Sequence, residues 1–515
     1  MSSTHLTQRG LVAIAAAGLL AAGLGACSSS KAPSGSSTST LKPLVMESSP
    51  ETTITDDFNP FVSTAAPFGM GATGLIYEPL LQFDIAAPPK YTPWLATAYT
   101  WSNGGKTIAF TIRQGVKWNN GTAMTPADVA FTYNLVMKNA AINLAGLPIT
   151  GATASGNTVT VNFSSAQYLN LQEVAGVPIL PQSIWGSVSN PTTFTDAKPV
   201  GTGPYVLKTF TPQGYTLTKN TSYWQASMVK VPSVYFPVYT SNTSALSALY
   251  SGAIDWTGNF IPGLQKQFVN TAPAYHHFWE APGSTNALMP NLNQWPTNQL
   301  AVRQAISLAV NRNLLASEGE AGLENPVTNT SGITLPTFAA WAAPAASDTV
   351  SATGSASAAA AVLTQAGYKK DSSGYFALNG KEVVVTLIAP SAYTDYAAVG
   401  SMVAQELKAA GINASFQGIS VDSWNADMAT GNFSLAEHWS NNGLTPYNLY
   451  NNWLNSALNN GKANSGDYEG LKNATMDAAL AKLAGDSTVA QQTADLAPIE
   501  SYVAQNLPVI PVTTA

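Results

Sequence analysis

The chain contains a single cysteine, Cys27, which follows one apolar run from Leu11 to Leu24. With one cysteine no internal disulfide can form, so hydrophobic cores must stabilise the folded state. The composition permits this, because 45% of the residues are hydrophobic and the chain has 12 Trp, 20 Tyr and 17 Phe. About 475 residues follow the N-terminal segment, enough for two or three domains. No other apolar run is long enough to span a bilayer, so we expect no transmembrane helix in the mature protein.

Residues 1–26 have the layout of a bacterial lipoprotein signal peptide. Arg9 precedes the apolar run, and Leu24-Gly25-Ala26-Cys27 resembles a lipobox, whose cysteine is lipidated and becomes the new N-terminus. We therefore predict lipidation at Cys27 and a flexible Ser/Thr-rich tether over residues 27–41. The folded part would then lie at the outer face of the bacterial cell membrane. The alternative is an ordinary signal peptide with an incidental cysteine.

Charge is sparse: 22 basic and 28 acidic residues give a net charge of -6. The sequence contains no basic patch, so a nucleic-acid partner is not expected. The adjacent His276 and His277 match no metal-ligand spacing, and we expect no metal, cofactor or catalytic residue. A role in a binding cleft stays open for His438, which precedes a tryptophan.

The pattern in the first half of the chain predicts a mixed, largely antiparallel structure. Alternating apolar residues in Thr97–Trp101 and Thr107–Arg113 flank Gly-rich turn residues, which predicts a hairpin. Tyr205–Phe210 and Tyr215–Lys219 predict another. Between them, Thr125-Pro126-Ala127-Asp128 has the N-cap, first-turn proline and acidic residue of a helix start.

The second half of the chain favours a parallel strand pair. Val383–Ile388 is a continuous apolar run, typical of a strand buried on both faces. A helical pattern follows and ends at Gly411, and Asn413–Phe416 begins another strand. The Ala345–Ala361 segment predicts a loop and then a helix that ends at Gly367.

Five short stretches then occur in an order typical of one protein family. They are Ile76–Leu80, a signature from Pro93 through Trp118 to Val129, Gly201-Thr202-Gly203-Pro204-Tyr205, Ser251–Asp255 and Val302–Ile306. Together they resemble the family 5 extracytoplasmic solute-binding proteins of ABC importers, the oligopeptide- and dipeptide-binding class. The similarity extends over nearly the whole mature chain. The glycines of the third stretch are interpreted as serving a tight turn rather than a phosphate site.

The resemblance implies an α/β (mixed α+β) fold with two lobes, of the periplasmic-binding-protein type II kind. Lobe I would comprise residues 42–80, 200–284 and 491–515, with residues 81–199 as an inserted subdomain, and lobe II would comprise residues 285–490. The resemblance also implies a monomer that does no chemistry itself and that partners the permease and ATPase subunits of an importer.

The ligand class depends on one segment. Peptide-binding relatives carry a Trp, an Asp three residues later that pairs with the peptide ammonium, and a Pro four residues further on. This chain has Trp439 and Pro446 at those spacings but Asn442 at the Asp position. Because burying an unpaired cation costs several kcal/mol, Asn442 favours a neutral polyhydroxyl ligand, an oligosaccharide.

Sugar sites combine aromatic faces with amide side chains, which makes such residues the candidates for ligand binding; Phe61 is a candidate because the resemblance implies that the N-terminal loop lines the cleft. The candidates are Trp439, Asn442, Tyr447, Asn441, Asn448, Trp256, Phe61, Trp424 and Trp279. Three alternatives stay open: an oligopeptide-binding protein, a secreted glycoside hydrolase with two cleft carboxylates, and a ligand sensor that partners a receptor.

Overall fold

The computed structural model describes residues 42–51, 53–62, 64–84, 90–279, 284–342, 350–441, 443–459, 461 and 466–514. The predicted signal peptide (1–26), the lipidation site Cys27 and the predicted tether (27–41) lie outside these residues. Within the described part of the chain, no helix combines the length and apolar character that crossing a bilayer requires.

Short strands and helices alternate along the described chain. The strands are β1 (Leu44–Glu47), β2 (Leu81–Asp84), β3 (Lys90–Pro93), β4 (Ala96–Ser102), β5 (Thr107–Ile112), β6 (Ile149–Ser155), β7 (Thr158–Phe163), β8 (Tyr205–Thr211), β9 (Gly214–Lys219), β10 (Ser233–Pro237), β11 (Trp256–Thr257), β12 (Ser284–Pro290), β13 (Asn325–Pro326), β14 (Lys369–Lys370), β15 (Phe376–Leu378), β16 (Lys381–Glu382), β17 (Val384–Pro390), β18 (Asn413–Ile419), β19 (Leu435–Asn441) and β20 (Ile510–Thr514). The α-helices are α1 (Ala66–Gly69), α2 (Thr73–Ile76), α3 (Pro126–Lys138), α4 (Leu171–Ala175), α5 (Gln182–Trp185), α6 (Asn242–Tyr250), α7 (Leu264–Gln267), α8 (Leu300–Ala309), α9 (Arg312–Leu314), α10 (Ala356–Gln365), α11 (Thr394–Ala409), α12 (Val421–Thr430), α13 (Pro446–Leu454), α14 (Ala474–Leu483) and α15 (Val489–Asn506).

The N-terminal half (residues 42–279) contains two larger sheets that share one hydrophobic core. One sheet has the strand order β11-β1-β10-β9-β8, and the other is antiparallel with the order β4-β5-β7-β6. The core is continuous from Ile54 to Phe236, so the predicted insertion packs on the rest of this half instead of standing apart. Both predicted hairpins are confirmed, as β4–β5 and β8–β9.

Helix α3 begins as its sequence predicts. Thr125 caps the helix in a reciprocal capping box with Asp128, whose carboxylate accepts from the Thr125 backbone N–H at 2.8 Å. Val129, Tyr133 and Val136 are buried, and the helix packs on β6 and β7. The same helix supplies Val136 to the cavity described below.

Gly201 and Gly203 are needed because the backbone of this segment packs directly against the backbone at Ile76. The interpretation of these glycines as turn residues therefore misses their main role. A Cβ at Gly201 would overlap the carbonyl oxygen of Ile76, and Gly203 donates its N–H to the same oxygen at 2.9 Å. Gly201→Ala should therefore lower the free energy of unfolding by about 1–3 kcal/mol, as overpacking does. Denaturant unfolding measures this. Gly151→Ala is the control, because no atom lies within 4 Å of its added Cβ; equal stability of both variants would contradict the prediction.

The C-terminal half (residues 284–514) is built on a six-stranded sheet with the order β13-β20-β12-β19-β17-β18. Strand β17 is parallel to β18 and β19, which confirms the predicted parallel pair around α11. The apolar run predicts a strand buried on both faces, and this holds toward the end of β17: Val385 and Leu387 enter one core and Ile388 enters another, whereas Val384 is 48% exposed. Gly411 ends the intervening helix region with a φ of 87°.

The C-terminal segment requires a correction. Residues 491–515 were assigned to lobe I, but β20 pairs antiparallel with β12 and β13 in the C-terminal half. Ile510 and Val512 are buried in that half, and α15 contributes Leu496 to its second core. Strand pairing across such a separation depends on which sheet edge is free, and local sequence carries no signal for it.

Candidate functional site

A cavity of about 760 Å³ lies where three parts of the chain meet. Its walls come from residues 60–83 and 136–178 of the N-terminal half and from residues 438–468 of the C-terminal half. Its volume is within the range of small-molecule sites, roughly 300–1,000 Å³. A molecule inside it would touch both halves.

Trp439, on β19, presents its aromatic side chain to the cavity. It lines the cavity and remains 47% exposed, although Ala436 and Glu437 on the same strand are fully buried. Its position is fixed by the ladder, in which Trp439 lies opposite Asn286 of β12. An indole held on a rigid strand with half its surface open can pack against a flat apolar face.

The neighbouring residues hold the backbone of Trp439 in place. The His438 ring packs between Trp424 (4.9 Å between centroids) and Tyr468 (4.7 Å), and its Nδ1–H donates to the carbonyl of Trp439. Burial lowers the pKa of His438 to about 4, so the imidazole is neutral at neutral pH. Trp424 is therefore part of the support below the site and does not line the cavity.

Amide side chains line the cavity on both sides. Asn448 and Asn451 come from α13, and Gln172 comes from α4 on the opposite side. The Oδ1 of Asn448 and the Oε1 of Gln172 are buried without a hydrogen-bond partner among the described residues. Both atoms are enclosed by protein, so each costs free energy as an unpaired acceptor without offering a ligand in the cavity a direct contact.

Glu173 is the carboxyl group of the described cavity wall, and sequence reasoning missed it. Burial raises its pKa, and no neighbouring positive charge opposes this effect. One signal could have identified it: Glu173 is the sole acidic residue between Asp128 and Asp196. In a chain with only 10% charged residues, an isolated carboxylate in an apolar segment is unusual.

The structure groups three of the predicted site residues at the cavity and places four elsewhere. Trp439, Asn448 and Phe61 line it. Tyr447 is 4% exposed and lies behind the wall, and Trp424 supports His438. Trp256 on β11 and Trp279 are exposed outside the cavity lining. Asn441 is the last residue of β19, and Asn442 lies outside the described residues.

Tyr447 joins the two halves of the protein. Its hydroxyl accepts a hydrogen bond from Asn170 Nδ2 of the N-terminal half (3.1 Å) and donates to Asn451 Oδ1 (3.2 Å). The earlier placement of Tyr447 in the ligand site is thus corrected to a contact beside it. A buried ring with a polar tip satisfies that tip with protein partners, and sequence does not reveal which ones.

No three His, Cys, Asp or Glu side chains of the described residues converge as a metal site would require.

Comparison with known proteins places this geometry in a family. The model for bacterial extracellular solute-binding proteins, family 5, matches residues 90–461, more than two thirds of the chain. Among curated proteins, the nickel-binding periplasmic protein of Escherichia coli (strain K12) is 31% identical over 279 residues, 52% of this chain and 52% of the relative. A glutathione-binding protein of Salmonella typhi is 27% identical over 267 residues, 50% of each chain. The chain thus spans about half the length of the curated relatives it matches.

Two solved structures share the fold over almost the whole chain. The periplasmic oligopeptide-binding protein of Thermotoga maritima, solved with bound mannohexaose, has a TM-score of 0.82 at 23% identity and covers 92% of this chain and 90% of its own. An oligopeptide-binding protein of Bacillus subtilis, in complex with a nonapeptide, has a TM-score of 0.76 at 19% identity, with 92% of each chain covered. With the two-part architecture, the cavity between its halves and the family match all in agreement, the chain belongs to family 5 of the bacterial extracellular solute-binding proteins.

Proposed function

We propose that this protein is the receptor subunit of an ABC importer and that it captures a neutral oligomeric solute, an oligosaccharide, in the cavity between its halves. The family supports the receptor role. Lipidation at Cys27 would anchor the protein to the outer face of the bacterial cell membrane, where a permease and its ATPase act as partners. We also propose that the receptor acts as a monomer without cofactor and that its two halves act as two lobes, with residues 491–515 in the second lobe and not in the first as the family resemblance implies.

The observation that carries the ligand class is the half-exposed Trp439 in a cavity that is also lined by amide and hydroxyl side chains. A sugar presents an apolar C–H face, which can lie on an indole, and a rim of hydroxyl groups, which can exchange hydrogen bonds with the polar side chains of the wall. Asn442 supports the same assignment, since it lacks the charge that a peptide ammonium requires. The mannohexaose bound to the Thermotoga maritima protein shows that this fold accommodates such a ligand.

Two alternatives make different demands on the cavity. An oligopeptide ligand is the second candidate, and Glu173 favours it because a carboxylate can pair with an ammonium group. A glycoside hydrolase needs two carboxyl groups at the scissile bond, and the described wall contributes one, Glu173. We therefore assign the protein a binding role in which ligand shifts the open–closed population toward the closed state.

The contact between Asn170 and Tyr447 adds to this closure. Tyr447→Phe should destabilise the closed state by about 0.5–1.5 kcal/mol, the usual value of one hydrogen bond, and weaken ligand binding by roughly 2- to 10-fold. Small-angle scattering of the ligand-free protein should report a larger radius of gyration.

Tyr450→Phe is the matched control for this closure test. Its hydroxyl donates to Ser331 within the C-terminal half at 3.1 Å, so the variant should lose stability without opening the cleft. If Tyr447→Phe and Tyr450→Phe have the same radius as the wild type, the Asn170–Tyr447 hydrogen bond does not contribute to closure.

A thermal-shift screen tests the proposed function. Protein beginning after Cys27 would be mixed with α- and β-linked hexasaccharides and with di- to hexapeptides. A bound ligand raises the melting temperature by mass action, and at 100 times Kd the stabilisation is about 2.7 kcal/mol. We expect a rise with sugars. A rise with peptides alone would replace the oligosaccharide by the peptide assignment.

A further inference from the structure

Glu173 lies on the cavity wall and does not take part in the hydrogen bonds of the described residues. It belongs to the short helix α4 of the N-terminal half, and it forms no hydrogen bond or ion pair with the residues that the structure describes. Burial alone raises the pKa of its carboxyl group. The mechanism of closure does not use this group, so its presence in an otherwise apolar and amide-lined wall needs a reason.

Two further hydrogen-bond acceptors belong to residues that line the cavity. Gln172 Oε1 precedes it on α4, and Asn448 Oδ1 belongs to the opposite wall; both oxygens are buried and unpartnered among the described residues. Both oxygens are enclosed by protein, whereas the Glu173 side chain is only partly buried. Glu173 is therefore the acceptor of this set that a molecule in the cavity can reach, and it favours a ligand that donates a hydrogen bond to α4.

The same wall is unfavourable for a negative charge on the ligand. The other ionisable side chains of the described wall are His438 and Tyr468, and His438 is neutral at neutral pH. A ligand carboxylate near Glu173 would meet a like charge in a partly desolvated cavity, where repulsion is screened less than in water.

We propose that Glu173 sets the charge selectivity of the receptor: it accepts hydrogen bonds from a ligand hydroxyl or ammonium group and rejects a ligand carboxylate. This inference rests on the proposed function, because it takes the cavity to be the ligand site. It also restricts the expected ligands to those that place a hydrogen-bond donor against Glu173 on α4.

Titration calorimetry with three hexameric probes tests the proposal: a neutral hexamannoside, a hexamer of glucosamine and a hexamer of galacturonic acid. Wild type, Glu173→Gln and Glu173→Asp are compared. For each variant the ratio of two affinities is calculated, and comparing this ratio between variants cancels the differences between the sugar backbones. Glu318→Gln is the control, since Glu318 is exposed and outside the cavity lining but carries the same charge.

For Glu173→Gln we expect the acidic-to-neutral affinity ratio to rise at least 10-fold, with neutral binding changed by less than about 3-fold. Glu173→Asp and Glu318→Gln should keep the wild-type ratio. If the wild type binds the glucosamine hexamer more tightly than the neutral sugar and Glu173→Gln loses that preference, the group that donates to Glu173 is an ammonium group. If the wild type binds the neutral sugar more tightly, the donating group is a hydroxyl. An unchanged ratio in a folded Glu173→Gln protein would overturn the proposal.

Failure of the proposed function gives a different result. If none of the sugars binds but peptides do, the oligosaccharide assignment falls and the selectivity of Glu173 is measured with hexapeptides that are acetylated or amidated at one terminus. Glu173→Gln should then weaken the binding of peptides with a free ammonium group by at least 10-fold relative to acetylated ones. Equal loss for both peptides would contradict the role of Glu173.

Discussion

Trp439→Ala should weaken ligand binding by about 2 kcal/mol, roughly 30-fold in Kd, because buried aromatic anchors dominate the energy of binding sites. The indole is 47% exposed in the cavity of the free protein, so its truncation removes contact with the ligand more than contact with the core. The melting temperature of the ligand-free variant should therefore stay close to that of the wild type. Titration calorimetry and a thermal melt measure the two effects separately.

The chain offers a matched control for this substitution. Trp256 is 45% exposed, also lies on a strand, and is outside the cavity lining, so Trp256→Ala removes the same side chain at the same exposure. We expect its Kd to equal that of the wild type. If both variants bind alike, Trp439 does not contact the ligand and the aromatic basis of the site is wrong.

Glu437→Gln should stabilise the protein at alkaline pH, because Glu437 is one of several carboxyl groups buried together behind β19. It is 0% exposed, and neither carboxyl oxygen has a hydrogen-bond partner among the described residues. Glu320 and Asp395 are close to it in the C-terminal half, and Asn286 donates to Glu320 at 3.4 Å. The sequence did not predict this group, since its carboxyl groups come from three distant segments.

The direction of the pH effect follows from the pKa values. Burial, followed by repulsion from neighbouring carboxylates, raises the pKa of Glu437 well above its usual value of 4.5 and that of Glu320 to about 9. The folded protein therefore holds protons that the unfolded chain has already released above pH 6. Stability is fully present below the unfolded pKa of about 4.5 and is lost as the pH rises through the folded values.

His438 acts in the opposite sense, but in another pH range. Burial lowers its pKa from 6.5 to about 4, so it destabilises the folded protein as the pH falls from 6.5 toward 4. Between pH 6.5 and 9 it is neutral in both states and contributes nothing. Buried carboxyl groups should therefore govern that interval, since burial also raises the pKa of Glu51 to about 7 and that of Asp467 to about 8, and the melting temperature should fall across it.

In Glu437→Gln the side chain cannot ionise, and its amide can donate to the remaining carboxyl groups. We expect the fall in stability between pH 6.5 and 9 to shrink by more than about 1 kcal/mol, the equivalent of roughly one pKa unit. Denaturant unfolding at several pH values measures this. Glu318→Gln, at an exposed position, should show the wild-type slope; an equal slope in all three proteins would contradict this explanation.

Elements with a complete local signal were predictable from the sequence. The capping box at Thr125 and Asp128 and the two hairpins depend on residues within a few positions of one another. The parallel β17–β18 pair followed from strand, helix and strand in immediate succession. The place of β20 was not predictable, because its partners β12 and β13 lie about 185–230 positions away in the chain and several sheet edges could compete for it.

The site was predictable only in part, for a physical reason. Aromatic side chains fill cores as well as binding sites, so the pattern around Trp439 could not separate it from Trp424 or Tyr447, which pack behind the wall. Exposure distinguishes them, and exposure is a property of the fold. The family pattern around Asn442 carries no information on Glu173, because Glu173 reaches the cavity from the other half of the protein.

A crystal structure grown with the neutral hexasaccharide that most raises the melting temperature tests the central claim most directly. We expect a sugar ring against the Trp439 indole at van der Waals distance, about 4 Å, with a hydroxyl group donating to Glu173. Sugar density outside the cavity, or a peptide held in the cavity in place of the sugar, would contradict it.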